Sequence, residues 1–142
     1  MLVTGYLTDS YQIKLDVEGF EYIVDRSIEK GGENTGTSPF GMLLSSITGC
    51  KLMVARGYLE HNEIPFERLE IETDGNITGS SRRETVEISV KITVIGAELT
   101  EKEHNFMTRI VDRGCTMANI LTAGGENKVD LEILVKDSPS TL

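Results

Sequence analysis

The sequence predicts an α+β fold in a single domain spanning residues 1–142. Three observations carry this. Strand-like runs open the chain, recur after its middle and return near its end. One long helical pattern separates the first strands from the others. The resulting order is three strands, a long helix, two strands, a helix, a short helix and a strand, so strands and helices are segregated rather than wound as repeated βαβ units. A length of 142 residues corresponds to one domain with room for a hydrophobic core.

The first three strands are read from "MLVTGYL", "YQIKLDV" and "FEYIVD", where β-branched and aromatic residues fall at period two. Thr8-Asp9-Ser10 and Glu18-Gly19 are turn signals between them, which makes an antiparallel meander. Residues Arg26 to Pro39, "RSIEKGGENTGTSP", form a long polar loop, a kind of segment that is often functional in a compact domain. Ser38-Pro39 then has the form of an N-cap followed by proline at the first helical position.

The long helix runs from about Pro39 to about His61. Leu43, Ile47, Cys50, Val54 and Tyr58 recur every three or four residues and are expected to share its buried face, widened by Leu44, Met53 and Leu59. Ser45, Ser46 and Gly49 are small enough to admit another helix backbone. Asn62 and Pro65 end the helix. "FERLEIETDGNI" and "ETVEISVKITVIG" are strands, and in the second Val86, Ile88, Val90, Ile92 and Val94 face one way. Thr100 to Glu103 fits a capping box that opens a helix with Phe106, Ile110 and Val111 on its apolar face and Gly114 in the C-cap role. "CTMANILTAG" is a short helix or turn, and "KVDLEILVKD" is the closing strand. His61 is expected near a helix end and His104 on a solvated helix face.

Composition excludes several functions. A net charge of −9 argues against nucleic-acid binding, which needs clustered Lys and Arg. No apolar run is long enough to span a bilayer. The start, "MLVTGYLTDS", lacks a basic segment followed by an apolar stretch, so a cytoplasmic location is expected and membrane attachment is not. Two cysteines with no CxxC, and two distant histidines, do not have the spacing of a zinc site, so neither a metal nor a cofactor is expected.

The two cysteines, Cys50 and Cys115, are the candidates for chemistry. A free cysteine commonly packs as a small hydrophobe. Cys50 lies among small residues in mid-helix, however, and Cys115 stands at an expected helix N-terminus, where free N–H groups favour a thiolate. Two thiols close enough to pair could run a peroxidase cycle in which one is oxidised to a sulfenic acid and the other condenses with it. Such a cycle needs a cation beside the first thiol, and Arg26 and Arg113 are the candidates.

The stretch "GGENTGTSPFGMLLSSITGCKLMVARGYLEHNEIPFERLEI" resembles the first signature of the OsmC/Ohr family: a Gly-rich loop, a Ser-Pro helix start, and a cysteine eleven residues after the proline. "RGCTMANILTAG" resembles the second signature and "KVDLEIL" the closing strand. The likeness covers nearly the whole chain. It implies an OsmC-like fold with antiparallel sheets and two central helices, in an intertwined homodimer with active sites at the interface. It also implies reduction of organic hydroperoxides, with Cys50 as the attacking thiol and Cys115 as the resolving one. Reducing equivalents would come from a lipoyl-type or other dithiol reductant. The peroxidase branches carry a glutamate directly after the proline, which orients the active-site arginine; here that position is Phe40.

The leading expectation is therefore a thiol-dependent peroxidase acting through a Cys50 sulfenic acid and a Cys50–Cys115 disulfide. Arg26 would stabilise the thiolate, and Phe40, Leu43, Ile47 and Met53 would line an apolar pocket. The alternative is an OsmC-like protein that binds an apolar small molecule, or senses redox state, without efficient turnover.

Overall fold

The first strands form the expected meander: β1 (Val3–Leu7), β2 (Ile13–Val17) and β3 (Phe20–Val24) pair antiparallel in that order. The structure, a computed structural model, describes residues 1–139. The β2–β3 hairpin turns on Glu18 and Gly19, both at positive φ (53° and 90°), which is the turn that matches the twist of the flanking strands. After β3 the long loop contains one 3₁₀ turn, Ile28–Lys30, and returns alongside Val24 through a bridge to Thr37. Its organiser is Asp25, a buried residue whose carboxylate accepts from the backbone N–H groups of Arg26 (2.7 Å), Glu33 (3.2 Å) and Thr35 (3.0 Å) and from the Thr35 hydroxyl (2.7 Å).

Helix α1 (Pro39–His61) starts as read from the sequence. The Ser38 hydroxyl accepts from the Gly41 N–H at 3.1 Å, and the Ser38 carbonyl accepts the first helical bond from Met42. The chain divides into two compact units inside this helix, residues 1–43 and 44–142.

The second unit is built on β4 (Arg68–Thr78), β5 (Thr85–Ile95) and β6 (Lys128–Lys136). β4 pairs antiparallel with β5, and β6 pairs parallel with β5. A parallel pair requires a crossover, and α2 (Glu101–Gly114) and α3 (Thr116–Thr122) supply it. The fold is α+β as expected, and among the described strands β5–β6 is the one parallel pair.

Alternation along β5 sets one face inward: Val86, Ile88, Val90, Ile92 and Val94 are all buried. Toward its end Thr93 and Ile95 are buried as well, so the strand is half-exposed only in its first part. Ile47, Ala55 and Leu59 of α1, Met107 and Val111 of α2, and Ile133 of β6 complete the core. Polar contacts tie α1 to the sheet and to α2. Thr48 donates to Thr73 of β4 at 2.8 Å, and the Tyr58 hydroxyl donates to the Glu103 carbonyl at 3.1 Å. The capping box at Thr100 and Glu103 is formed with both of its bonds. His104 is half-buried rather than solvated, its Nε2 lying 2.6 Å from the Ile133 carbonyl of β6. No described helix is long and apolar enough to cross a membrane.

Candidate functional site: the Cys50 and Cys115 thiols

Cys50 lies in the middle of α1. The buried line of this part of the helix runs through Ile47, Lys51, Ala55, Tyr58 and Leu59. This differs from the expected strip. Ile47 and Tyr58 are buried, but Cys50 and Val54 are only half-buried and Leu43 is 37% exposed. Steps of four from Ile47 keep Lys51 and Ala55 over the core, so Cys50 is rotated to the edge of the buried face. A buried lysine therefore stands next to the thiol.

Cys115 lies between α2 and α3 and is fully buried. Its backbone is extended (φ −82°, ψ 98°), which ends α2 and makes Cys115 the N-cap residue of α3. The Asn119 side chain closes the corner by donating to the Arg113 carbonyl at 2.7 Å. Gly114 is the last residue of α2, not a left-handed cap. Its small size serves packing, because a Cβ there would lie 3.0 Å from a methyl carbon of Val54. The Lys51 ammonium lies 3.5 Å from the Val111 carbonyl. Residues 51 and 54 of α1 thus meet residues 111 and 114 of α2, and these contacts bring Cys50 and Cys115 together. The close approach occurs here and not at Gly49, where a Cβ would meet nothing within 4 Å.

The two sulfurs differ in acidity. Burial pushes Cys50 up, but the backbone N–H of Met117, the Cys115 thiol, the backbone N–H of Thr116 and the Lys51 charge outweigh it, and its pKa falls below the ordinary thiol value. Burial also pushes Cys115 up. The Ala118 N–H and Lys51 oppose that, the neighbouring Cys50 adds to it, and its pKa ends above the ordinary value. The expectation that the helix N-terminus would make Cys115 the thiolate is thereby corrected. The first N–H groups of α3 serve the sulfur of Cys50 across the helix contact, and the fully buried Cys115 stays protonated.

The cation acting on both thiols is Lys51. Arg113 is exposed and only its carbonyl takes part in the corner. Arg26 belongs to the first unit, where its guanidinium lies 4.3 Å over the Tyr11 ring. Of the expected pocket residues, Ile47 is fully buried, Phe40 is half-buried, and Met53 is 77% exposed. Met53 instead lines an open groove of about 670 Å³ with Gly49, Leu52, Phe66 and Leu69, flanked by Arg56 and Glu67. Sequence reasoning passed over Lys51 and Asp25. The signal for Lys51 was its place four residues after Ile47 and four before Ala55, a core register occupied by a charge.

The sequence model of the OsmC-like protein family matches residues 31–132. The chain belongs to the OsmC-like family. Solved structures agree in fold at low identity. An OsmC-like protein from Mycoplasma pneumoniae is 17% identical, with 94% of each chain covered and a TM-score of 0.76. An organic hydroperoxide resistance protein OsmC from Legionella pneumophila is 13% identical, covering 97% of this chain and 96% of that one, at 0.70. An organic hydroperoxide resistance protein from Elizabethkingia anophelis is 16% identical, covering 97% and 94%, at 0.61. No curated protein matches this OsmC-like chain significantly by sequence.

Proposed function

We propose that this OsmC-like protein is a thiol peroxidase that reduces organic hydroperoxides. The observation that carries the reading is the pairing of an acidified Cys50 with a neighbouring, protonated Cys115. The Cys50 thiolate attacks the terminal oxygen of the hydroperoxide. The O–O bond breaks, Cys50 becomes a sulfenic acid, and the alkoxide leaves and takes a proton to become the alcohol. The Cys115 thiol then condenses with the sulfenic acid, forming the Cys50–Cys115 disulfide and releasing water. A dithiol reductant of lipoyl or similar type returns both sulfurs to thiols. A reducing cytoplasm, where free thiols persist, suits this cycle.

The apolar groove lined by Gly49, Leu52, Met53, Phe66 and Leu69 begins one residue from Cys50 in sequence, which favours an apolar substrate over hydrogen peroxide. The proposal includes a homodimer, supported by apolar side chains exposed on the helices: Met53, Phe106 and Ile120 are 77%, 47% and 67% exposed. Phe40, in place of the family's glutamate, favours a second reading in which the protein binds an apolar small molecule, or senses redox state, without efficient turnover.

Thiol counting and intact mass before and after one equivalent of cumene hydroperoxide test the reading. Loss of both thiols with a mass decrease of about two hydrogens supports it. Two thiols untouched by peroxide overturn it. A steady-state assay with a dithiol reductant separates turnover from sensing.

A further inference from the structure

Lys51 is fully buried, and among the described residues its ammonium has one hydrogen-bond partner, the Val111 carbonyl, at the long distance of 3.5 Å. Among the described residues no carboxylate lies within 4.0 Å of it, since the ion pairs there are Arg56–Glu60, Arg68–Glu70 and Lys91–Glu72. A buried ammonium without an anion is costly. The C-terminal carbonyls of α2 offset part of that cost, as cations at helix C-termini do. The group that can supply a full negative charge at this corner is the thiol pair: Cys50 adjoins Lys51 in α1, and Cys115 follows Val111 by four residues at the end of α2.

We infer that Lys51 is the buried counter-ion of the thiol pair and that it makes the Cys50–Cys115 disulfide easy to reduce. This deepens the peroxidase proposal and rests on it. With both sulfurs reduced, the Cys50 thiolate balances the ammonium. Oxidation to the disulfide removes the thiolate and leaves the ammonium buried without an anion. The ion pair exists only in the reduced state, so the charge favours the reduced pair by the strength of that one interaction. Reduction by a dithiol transfers two electrons: the Cys50–Cys115 bond breaks, two thiols form, the reductant closes its own disulfide, and Cys50 releases its proton to solvent. A disulfide whose reduced form is electrostatically stabilised is a strong oxidant. This suits a site that must be regenerated after every peroxide.

The test uses the full chain and two variants. Lys51→Met keeps the length of the side chain and removes the charge, and Lys51→Arg keeps the charge. Each protein is equilibrated with dithiothreitol redox buffers and the oxidised fraction read by intact mass. Independently, the thiolate absorbance near 240 nm is titrated in the reduced proteins. Lys51→Met is expected to shift the equilibrium toward the disulfide by about tenfold, which is about 30 mV in potential, and to move the Cys50 titration upward. Lys51→Arg should retain the wild-type behaviour, and should it fail to fold, the folded Lys51→Met protein decides alone. An unchanged potential and titration in folded Lys51→Met would overturn the inference and leave Lys51 as a tie to the end of α2. Should the wild type form no disulfide at all, the peroxidase reading fails, and the titration still decides whether Lys51 holds the thiolate.

Discussion

The middle of α1 and the corner between α2 and α3 each present a cysteine to the same small space, and the two respond in opposite ways. Cys50 and Cys115 interact with each other and with Lys51, yet Cys50 is more acidic than an ordinary thiol and Cys115 less so. The charge they share does not account for the difference. Backbone direction does. Cys50 is half-buried and receives the N–H groups of Thr116 and Met117. Cys115 is fully buried and receives that of Ala118. An N-cap residue is commonly pictured as the beneficiary of its helix. Here the beneficiary is a sulfur on a neighbouring helix, and the N-cap thiol is held above its ordinary pKa, as the resolving role proposed for it requires.

The largest effect expected breaks the comparison outright. Cys50→Ser should reduce peroxide consumption to the uncatalysed rate. Cys115→Ser should allow one turnover, after which Cys50 advances to the irreversible sulfinic state. Stopped-flow peroxide loss followed by intact mass distinguishes them: the first shows no oxygen added, the second two. Multiple turnovers by Cys50→Ser would reverse the assignment of roles.

A second change acts on the approach of the two regions. Gly114→Ala places a methyl group 3.0 Å from Val54, so α1 and the end of α2 must separate slightly. Overpacking of this kind costs about 1–3 kcal/mol. Urea denaturation measures that cost. Disulfide formation should slow relative to the wild type, while the first attack on peroxide, which needs only Cys50, should change less. Equal slowing of both steps would indicate a general loss of structure instead.

A smaller change isolates the backbone contribution. Thr116 is the first residue of α3, a position where proline is tolerated, and the extended backbone of Cys115 before it suits a residue preceding proline. Thr116→Pro therefore removes one N–H from Cys50 with the helix retained. The pH profile of Cys50 alkylation should move upward, toward the ordinary thiol, with the fold unchanged by circular dichroism. A profile that does not move would assign the acidity to Lys51 and the remaining donors.

Local chemistry in this chain was legible, and non-local chemistry was not. The Glu18-Gly19 turn, the Ser38 cap and the Thr100–Glu103 box are each decided within a few residues, and all three are present as read. The parallel pairing of β6 with β5 depends on a crossover of more than thirty residues and leaves no local mark. Gly114 was read by its usual conformational role, whereas a side chain on another helix required it. The thiol pair was legible as two candidates. What set their acidities was burial, N–H groups aimed away from the cysteine beside them and, as a smaller contribution, a lysine that a hydrophobic pattern passes over.

The smallest expected effect comes from a second anion, the buried Asp25, which serves as a control for the comparison. Asp25 is held by N–H groups as Cys50 is, but no thiol or lysine takes part. The Thr35 N–H and hydroxyl lower its pKa first, burial opposes them, and the N–H groups of Arg26 and Glu33 lower it further. Its folded-state pKa therefore lies below its unfolded value. The stability it contributes is present above the unfolded value and is lost as pH falls through the lower folded one. Melting temperature should decline on acidification below the ordinary carboxylate value of 3.8, and Asp25→Asn should flatten that decline, since the amide has no such proton to take up. At neutral pH the same variant should loosen the loop and raise its susceptibility to proteolysis between residues 26 and 38, with Cys50 alkylation unchanged. Changed alkylation would show that the loop organised by Asp25 and the thiol corner are coupled, and the two anions could no longer be treated as independent.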